Sequence, residues 1–145
     1  MFDVHLREAL SMERHEIERL VQRWTKEAIA DGRLDLFDEL LAEDVRDRSA
    51  SAGSQGVESF KARAAAVRAA FDDIEIRVED LIVDGNAVAW RWILTGTHVG
   101  TFAGVAPTGR RVTLQGVNFQ RLKDNKVVEH WTLIDVFGVM HSLRS

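Results

Sequence analysis

Near the end of the chain the stretch VVEHWTLID, residues 127–135, places three titratable side chains, Glu129, His130 and Asp135, in an apolar, strand-like setting, and the last two are the candidates for chemistry. A histidine titrates close to neutral pH, so His130 has the chemistry of a general base that takes a proton from carbon or oxygen. An aspartate moved into apolar surroundings gains basicity and can do the same work. Each also has a plainer role: His130 as a strand residue hydrogen-bonded to Asn118, Asp135 as a strand-end residue that caps or pairs with an arginine such as Arg91. Metal chemistry has little support, because the five histidines, at 5, 15, 98, 130 and 141, show neither HxH nor HExxH spacing. The chain has no cysteine and no tyrosine, which removes thiolate ligands, thiol nucleophiles and a phenol that could hold an enolate.

Such residues need a scaffold to aim them. A chain of 145 residues can bury one core, and its 46% hydrophobic and 29% charged content is that of a globular protein, so one domain over 1–145 is expected. A net charge of −4 gives no general attraction to nucleic acid. No apolar run reaches membrane-spanning length and the charged start MFDVHLREALSMERHE lacks a signal peptide's apolar region, so a soluble cytoplasmic protein is expected.

Apolar spacing predicts helices near 12–30, capped by Ser11, near 34–41 and near 57–71. DRSASAGSQG, 47–56, reads as a loop. From there the pattern is strand-like. IEIRVEDLIVDG and AVAWRWILTGTH flank a DGN turn, with Val88, Trp90, Trp92 and Leu94 on one face, and RVTLQGVNFQRL and KVVEHWTLID flank Asp124-Asn125. GTFAGVAPTGRR, 100–111, is a loop between strands. Helices followed by such a meander predict an α+β fold, a bent sheet packed on helices.

The register of the last hairpin decides which residues meet. A tight turn at Asp124-Asn125 pairs Leu122 with Val127 and puts Asn118, Trp131 and Asp135 on one face. A bulged turn over Lys123-Asp124-Asn125 pairs Leu122 with Lys126 and Asn118 with His130. The bulged register gathers Gly116, Asn118, Gln120, His130 and Thr132 on one face and Val117, Phe119, Val127, Trp131 and Leu133 on the other. That segregation favours it. Small polar groups without Lys or Glu suit either a cavity wall or open solvent. Trp24 on the first helix and His98 beside the glycine-rich loop are further pocket candidates, with loop anchoring the alternative for His98. Trp90, Trp92 and Trp131 suit packing or a dimer interface, and Trp131 is also a candidate for ligand contact.

Residues 96–140, GTHVGTFAGVAPTGRRVTLQGVNFQRLKDNKVVEHWTLIDVFGVM, resemble the SnoaL-like polyketide cyclase, or ester cyclase, family of the nuclear transport factor 2-like superfamily. GTF.G..PTGRRV and K.VEHW...D are the most specific parts, and the likeness runs back through AAFDDIEIRVEDLIVDGNAVAWRW and loosely to LFDELLAEDV. It implies a cone-shaped fold of three helices and a curved sheet around an apolar pocket. It also implies ring closure by intramolecular aldol condensation, with neither metal nor cofactor, by an acid/base aspartate and a nearby histidine. Here the family's acidic position is Thr132, and the polar position facing it is Asn118. The expected partner is therefore a small, mostly apolar, polyketide-like carbonyl compound. The alternative is a non-catalytic ligand-binding or scaffold module of the same fold. A broad convex sheet face rich in aromatic residues further predicts a homodimer.

Overall fold

Ile17, Leu20, Val21, Trp24 and Ala28 recur at helical spacing, and all are buried. In the computed structural model, which describes residues 12–50 and 54–144, they form α1 (Arg14–Gln22) and the π-helix that continues it (Arg23–Ala30). The predicted cap at Ser11 lies outside the described residues. Thr25 satisfies its buried hydroxyl by donating to the Val21 carbonyl at 3.0 Å. The chain then turns at Gly32, whose φ is +81° and whose missing Cβ leaves room for the Arg68 guanidinium, 2.6 Å from where a Cβ would stand. From there Arg68 donates to the carbonyls of Ile29 and Ala30, at 2.9 and 2.7 Å, which closes the helix end.

The second predicted helix is short. A 3₁₀ turn (Leu34–Leu36) leads into α2 (Phe37–Leu40), and the chain at once becomes strand β1 (Leu41–Asp47), which the sequence reading missed. The reason is physical: β1 buries only Leu41, Val45 and Asp47, too few apolar groups to show a strand period. Helix α3 (Val57–Ala70) follows, then β2 (Phe71–Asp84), β3 (Ala87–His98), β4 (Arg111–Lys123) and β5 (Lys126–Ile134). A last helix, α4 (Val136–Arg144), was also missed; it buries Val139 and Leu143 in a second core cluster with Phe71, Leu94, Val112 and Leu114.

The five strands lie in the order β1-β5-β4-β3-β2, antiparallel except for β1, which runs parallel to β5. The expected α+β fold is therefore present, with a mixed sheet. No helix among the described residues is long and apolar enough to cross a membrane.

The last hairpin corrects the predicted register. Asp124 and Asn125 both have positive φ, 52° and 64°, and form a tight two-residue turn, with Lys123 opposite Lys126 and Leu122 opposite Val127. The irregularity comes one step later, where Val128 is the extra residue and Arg121 pairs with Glu129. Beyond that bulge the predicted faces return: Gly116, Asn118, Gln120, His130 and Thr132 point inward. Two details differ. Asn118 pairs with Thr132 and Gln120 with His130, and Val127 is fully buried on the inner face. Gly116 has a packing reason, since a Cβ there would stand 2.5 Å from the Trp92 ring and 2.6 Å from the Leu133 carbonyl.

Candidate active site

Two core clusters divide the interior, one under α1 with Trp24, Phe37, Phe60 and Trp90, the other under α4, and Trp92 packs against both. Between them lies a cavity of about 180 Å³, of the order that holds a small ring compound. Ile29, Phe37, Phe60, Trp90, Trp92 and Leu114 give it apolar walls, and Thr25, Arg63, Asn118, His130 and Thr132 are polar residues in its lining. Among the described residues, no carboxylate lines it.

His130 is buried in aromatic surroundings. Its ring stacks on Trp24, with centroids 5.4 Å apart and planes 17° apart, and meets the edge of Phe60 at 5.1 Å. Burial strips water from the charged form and pushes the His130 pKa down to about 4; nearby Asp47 pulls upward and Arg63 pushes further down. The imidazole is therefore neutral at neutral pH. In this setting it is a weaker base than an exposed histidine.

Asp47 was not recognised in the sequence. It ends β1 opposite His130, with a fully buried side chain. Its Oδ1 accepts hydrogen bonds from the Ser49 amide at 3.0 Å and the Ser49 hydroxyl at 2.7 Å. Oδ2 lies 2.6 Å from Arg63 Nη2, an ion pair without hydrogen-bond alignment. Burial raises the Asp47 pKa, but the Ser49 hydrogen bonds and the Arg63 charge outweigh it and hold it below the usual value. Arg63 was missed too, although a signal existed. It stands between Phe60, Ala64 and Val67 on the apolar side of α3, with its guanidinium 4.7 Å above the Phe60 ring.

Of the predicted pocket residues, Asn118, Thr132 and Trp24 line the cavity with His130. The other four lie elsewhere. Gln120 is fully buried behind the wall, its Nε2 3.0 Å from His130 Nδ1 and its Oε1 accepting from Trp90 Nε1 at 3.2 Å. His98 is fully buried and holds the 99–110 loop: its Nδ1 accepts from the Thr108 amide at 3.1 Å. Trp131 belongs to the outer face, edge-on to Phe119 at 5.3 Å, because it alternates with His130 along β5. Asp135 is exposed and starts α4: its Oδ1 accepts from the Gly138 amide at 2.8 Å and its carbonyl from the Val139 amide at 3.2 Å. Arg91 pairs with Asp80 instead, at 2.8 Å. Asp135 is thus a helix cap, and nothing places it at the cavity.

A profile of the SnoaL-like polyketide cyclases matches residues 19–143. The chain belongs to that family. Among SnoaL-like relatives, the nogalonic acid methyl ester cyclase of Streptomyces nogalater is 32% identical over 90 residues, 61% of this chain and 66% of that protein. The aklanonic acid methyl ester cyclase AcmA of Streptomyces galilaeus is 32% identical over 91 residues, 61% of this chain and 62% of that protein. The match therefore spans less than two thirds of the length of either cyclase. A protein of Jannaschia sp. CCS1 assigned to the SnoaL-like polyketide cyclases superposes with a TM-score of 0.79 at 28% identity, over 92% of this chain and 98% of that one. TsrD of Streptomyces laurentii shares the fold, with a TM-score of 0.84 at 22% identity over 91% of this chain and 97% of its own. In this SnoaL-like chain Thr132, at the position where the resemblance puts an acid, donates its hydroxyl to Asn118 Oδ1 at 2.7 Å.

The buried neutral histidine has a thermodynamic consequence. A histidine in the unfolded chain titrates near 6.5, whereas folded His130 stays neutral down to about 4, so between those values the unfolded chain binds more protons. The contribution of His130, roughly 3 kcal/mol, is complete above pH 6.5 and is lost as pH falls towards 4. Asp47, held below its usual pKa, adds a further loss at lower pH. Urea unfolding at stepped pH is expected to show stability falling from pH 6.5 downward in the native chain and a flattened slope in His130→Leu. An unchanged slope in the variant would assign the fall to other groups.

Proposed function

We propose that the chain binds a small, mostly apolar carbonyl compound of polyketide type and promotes its ring closure by an intramolecular aldol step, without a cofactor. The observation that carries this reading is the cavity itself, an aromatic and aliphatic enclosure with its neutral polar groups, Asn118, His130 and Thr132, grouped on the wall made by β4 and β5. A ligand with one oxygen-bearing end and an apolar body suits that division. In the reaction, a carbon next to one carbonyl gives its proton to solvent water and bonds to a second carbonyl carbon. The second carbonyl's oxygen takes up a proton, so the product is an isomer of the substrate. Groups that hold the developing oxyanion lower the barrier. The family membership and the two methyl ester cyclases among the relatives support the same substrate class.

The second reading, a non-catalytic binding module, is favoured by one observation, the absence of a carboxylate from the cavity lining among the described residues. One experiment separates the two. Aklanonic acid methyl ester and nogalonic acid methyl ester are incubated with the protein in the presence of a chelator. Chromatography with mass detection follows the isomer of unchanged mass, and tryptophan fluorescence follows binding. Isomer formation above the buffer rate is the expected result. Binding without turnover would establish the module, and neither binding nor turnover would remove this substrate class.

A further inference from the structure

An indole nitrogen carries a hydrogen and offers no lone pair, so it can only donate. Trp90 Nε1 lies 3.2 Å from the side-chain oxygen of Gln120, which fixes the direction of a fully buried amide: oxygen toward Trp90, NH₂ toward His130. The reversed amide would set donor against donor and leave two buried hydrogens unsatisfied, a costly arrangement in a dry interior. Gln120 Nε2 therefore donates across 3.0 Å to His130 Nδ1. A ring nitrogen that accepts carries no hydrogen, and in a neutral imidazole the hydrogen then sits on the other nitrogen.

We propose that Trp90 and Gln120 are positioning residues that lock His130 as its Nε2–H tautomer, so that the cavity offers its ligand a hydrogen-bond donor instead of a base. This deepens the carbonyl-binding reading given above and rests on it. The same device recurs beside it. Trp92 Nε1 donates to Asn118 Oδ1 at 3.0 Å and the Thr132 hydroxyl donates to that same oxygen at 2.7 Å, which uses both of its lone pairs and leaves the Asn118 NH₂ to donate. Two tryptophans, each directing one amide, thus turn the wall between β4 and β5 into a donor surface. The ligand class that matches it presents an electron-rich acceptor, a carbonyl or enolate oxygen, and not an alcohol or an amine seeking an acceptor. Asp47 from β1 favours protonated His130 and Arg63 from α3 disfavours it, while Trp24 and Phe60 exclude water from the ring.

Ring ¹⁵N correlation spectra of histidine-labelled protein, free of ligand at neutral pH, read the tautomer directly. Native His130 is expected to show a pyrrole-type Nε2 and a pyridine-type Nδ1. His98 serves as an internal reference, since a backbone amide donates to its Nδ1 in every variant. In Gln120→Glu the ionised carboxylate can only accept, and in that state Nδ1 must carry the hydrogen. The His130 pattern should invert or become that of an imidazolium, while His98 keeps its own. Should Gln120→Glu not fold, Gln120→Leu removes the lock and is expected to bring His130 to an average of the two tautomers. A hydrogen on Nδ1 of the native protein, or a folded Gln120→Leu variant with an unchanged His130 spectrum, would overturn the proposal. Because no ligand is present, failed turnover of the methyl esters leaves this test intact, and a wrong tautomer leaves the turnover experiment intact.

Discussion

Replacing His130 by leucine is expected to slow ring closure by about 10²–10³, the usual loss when one donor to a developing oxyanion is removed. The informative comparison is with His130→Gln. If His130 acts by taking a proton, glutamine and leucine are equally unable to do so and both variants lose the same factor. If it acts through Nε2–H, the glutamine amide still presents a donor into the cavity and should keep at least a tenfold advantage over leucine. Initial rates for the three proteins, with melting temperatures as a check on folding, decide between these outcomes. Equal losses in the two variants would return His130 to the role of a base.

Trp24→Ala is expected to cost about 3–5 kcal/mol, the range for emptying a buried tryptophan site. The indole is 4% exposed and touches Phe37, Phe60, Trp90 and His130, with centroids between 5.0 and 6.4 Å away. A loss of that size is a large part of the 5–15 kcal/mol that holds an ordinary domain together. The same deletion would admit water to the His130 ring and let its pKa rise from about 4 towards the ordinary value. Urea unfolding measures the first effect and an NMR titration of His130 the second. A cost below about 1 kcal/mol would show that the neighbours collapse into the space.

The helices around Trp24 and Phe60 were legible because their apolar residues repeat every three or four positions, and β2 to β4 because theirs alternate. β1 was not legible: AEDVRD offers one buried aliphatic group, and what holds it is pairing with β5, some eighty residues away. Asp47 went unseen for the same cause, since it stands where a polar loop begins and only the parallel pairing brings it beside His130. The inward set from Gly116 to Thr132 could be read because small polar side chains collect on one face. Its pairing could not, because nothing distinguishes Val128, the bulged residue, from Val127. Asp135 misled for a related reason, as a carboxylate after a strand looks the same whether it faces a cavity or caps a helix. The orientation of the Gln120 amide was beyond sequence reading, since it depends on an indole thirty positions earlier.

The central claim, that the wall between β4 and β5 holds a ligand oxygen by donated hydrogen bonds, has a direct measurement. Acetophenone labelled with ¹³C at its carbonyl is small enough for the cavity, and its bound carbonyl stretch can be isolated by isotope-edited infrared difference spectroscopy. The account predicts a band at lower frequency than that of the same ketone in hexane, moving back towards the hexane position in His130→Leu and further in the double variant with Asn118→Leu. A bound band at the hexane position, or one that neither substitution moves, would contradict it.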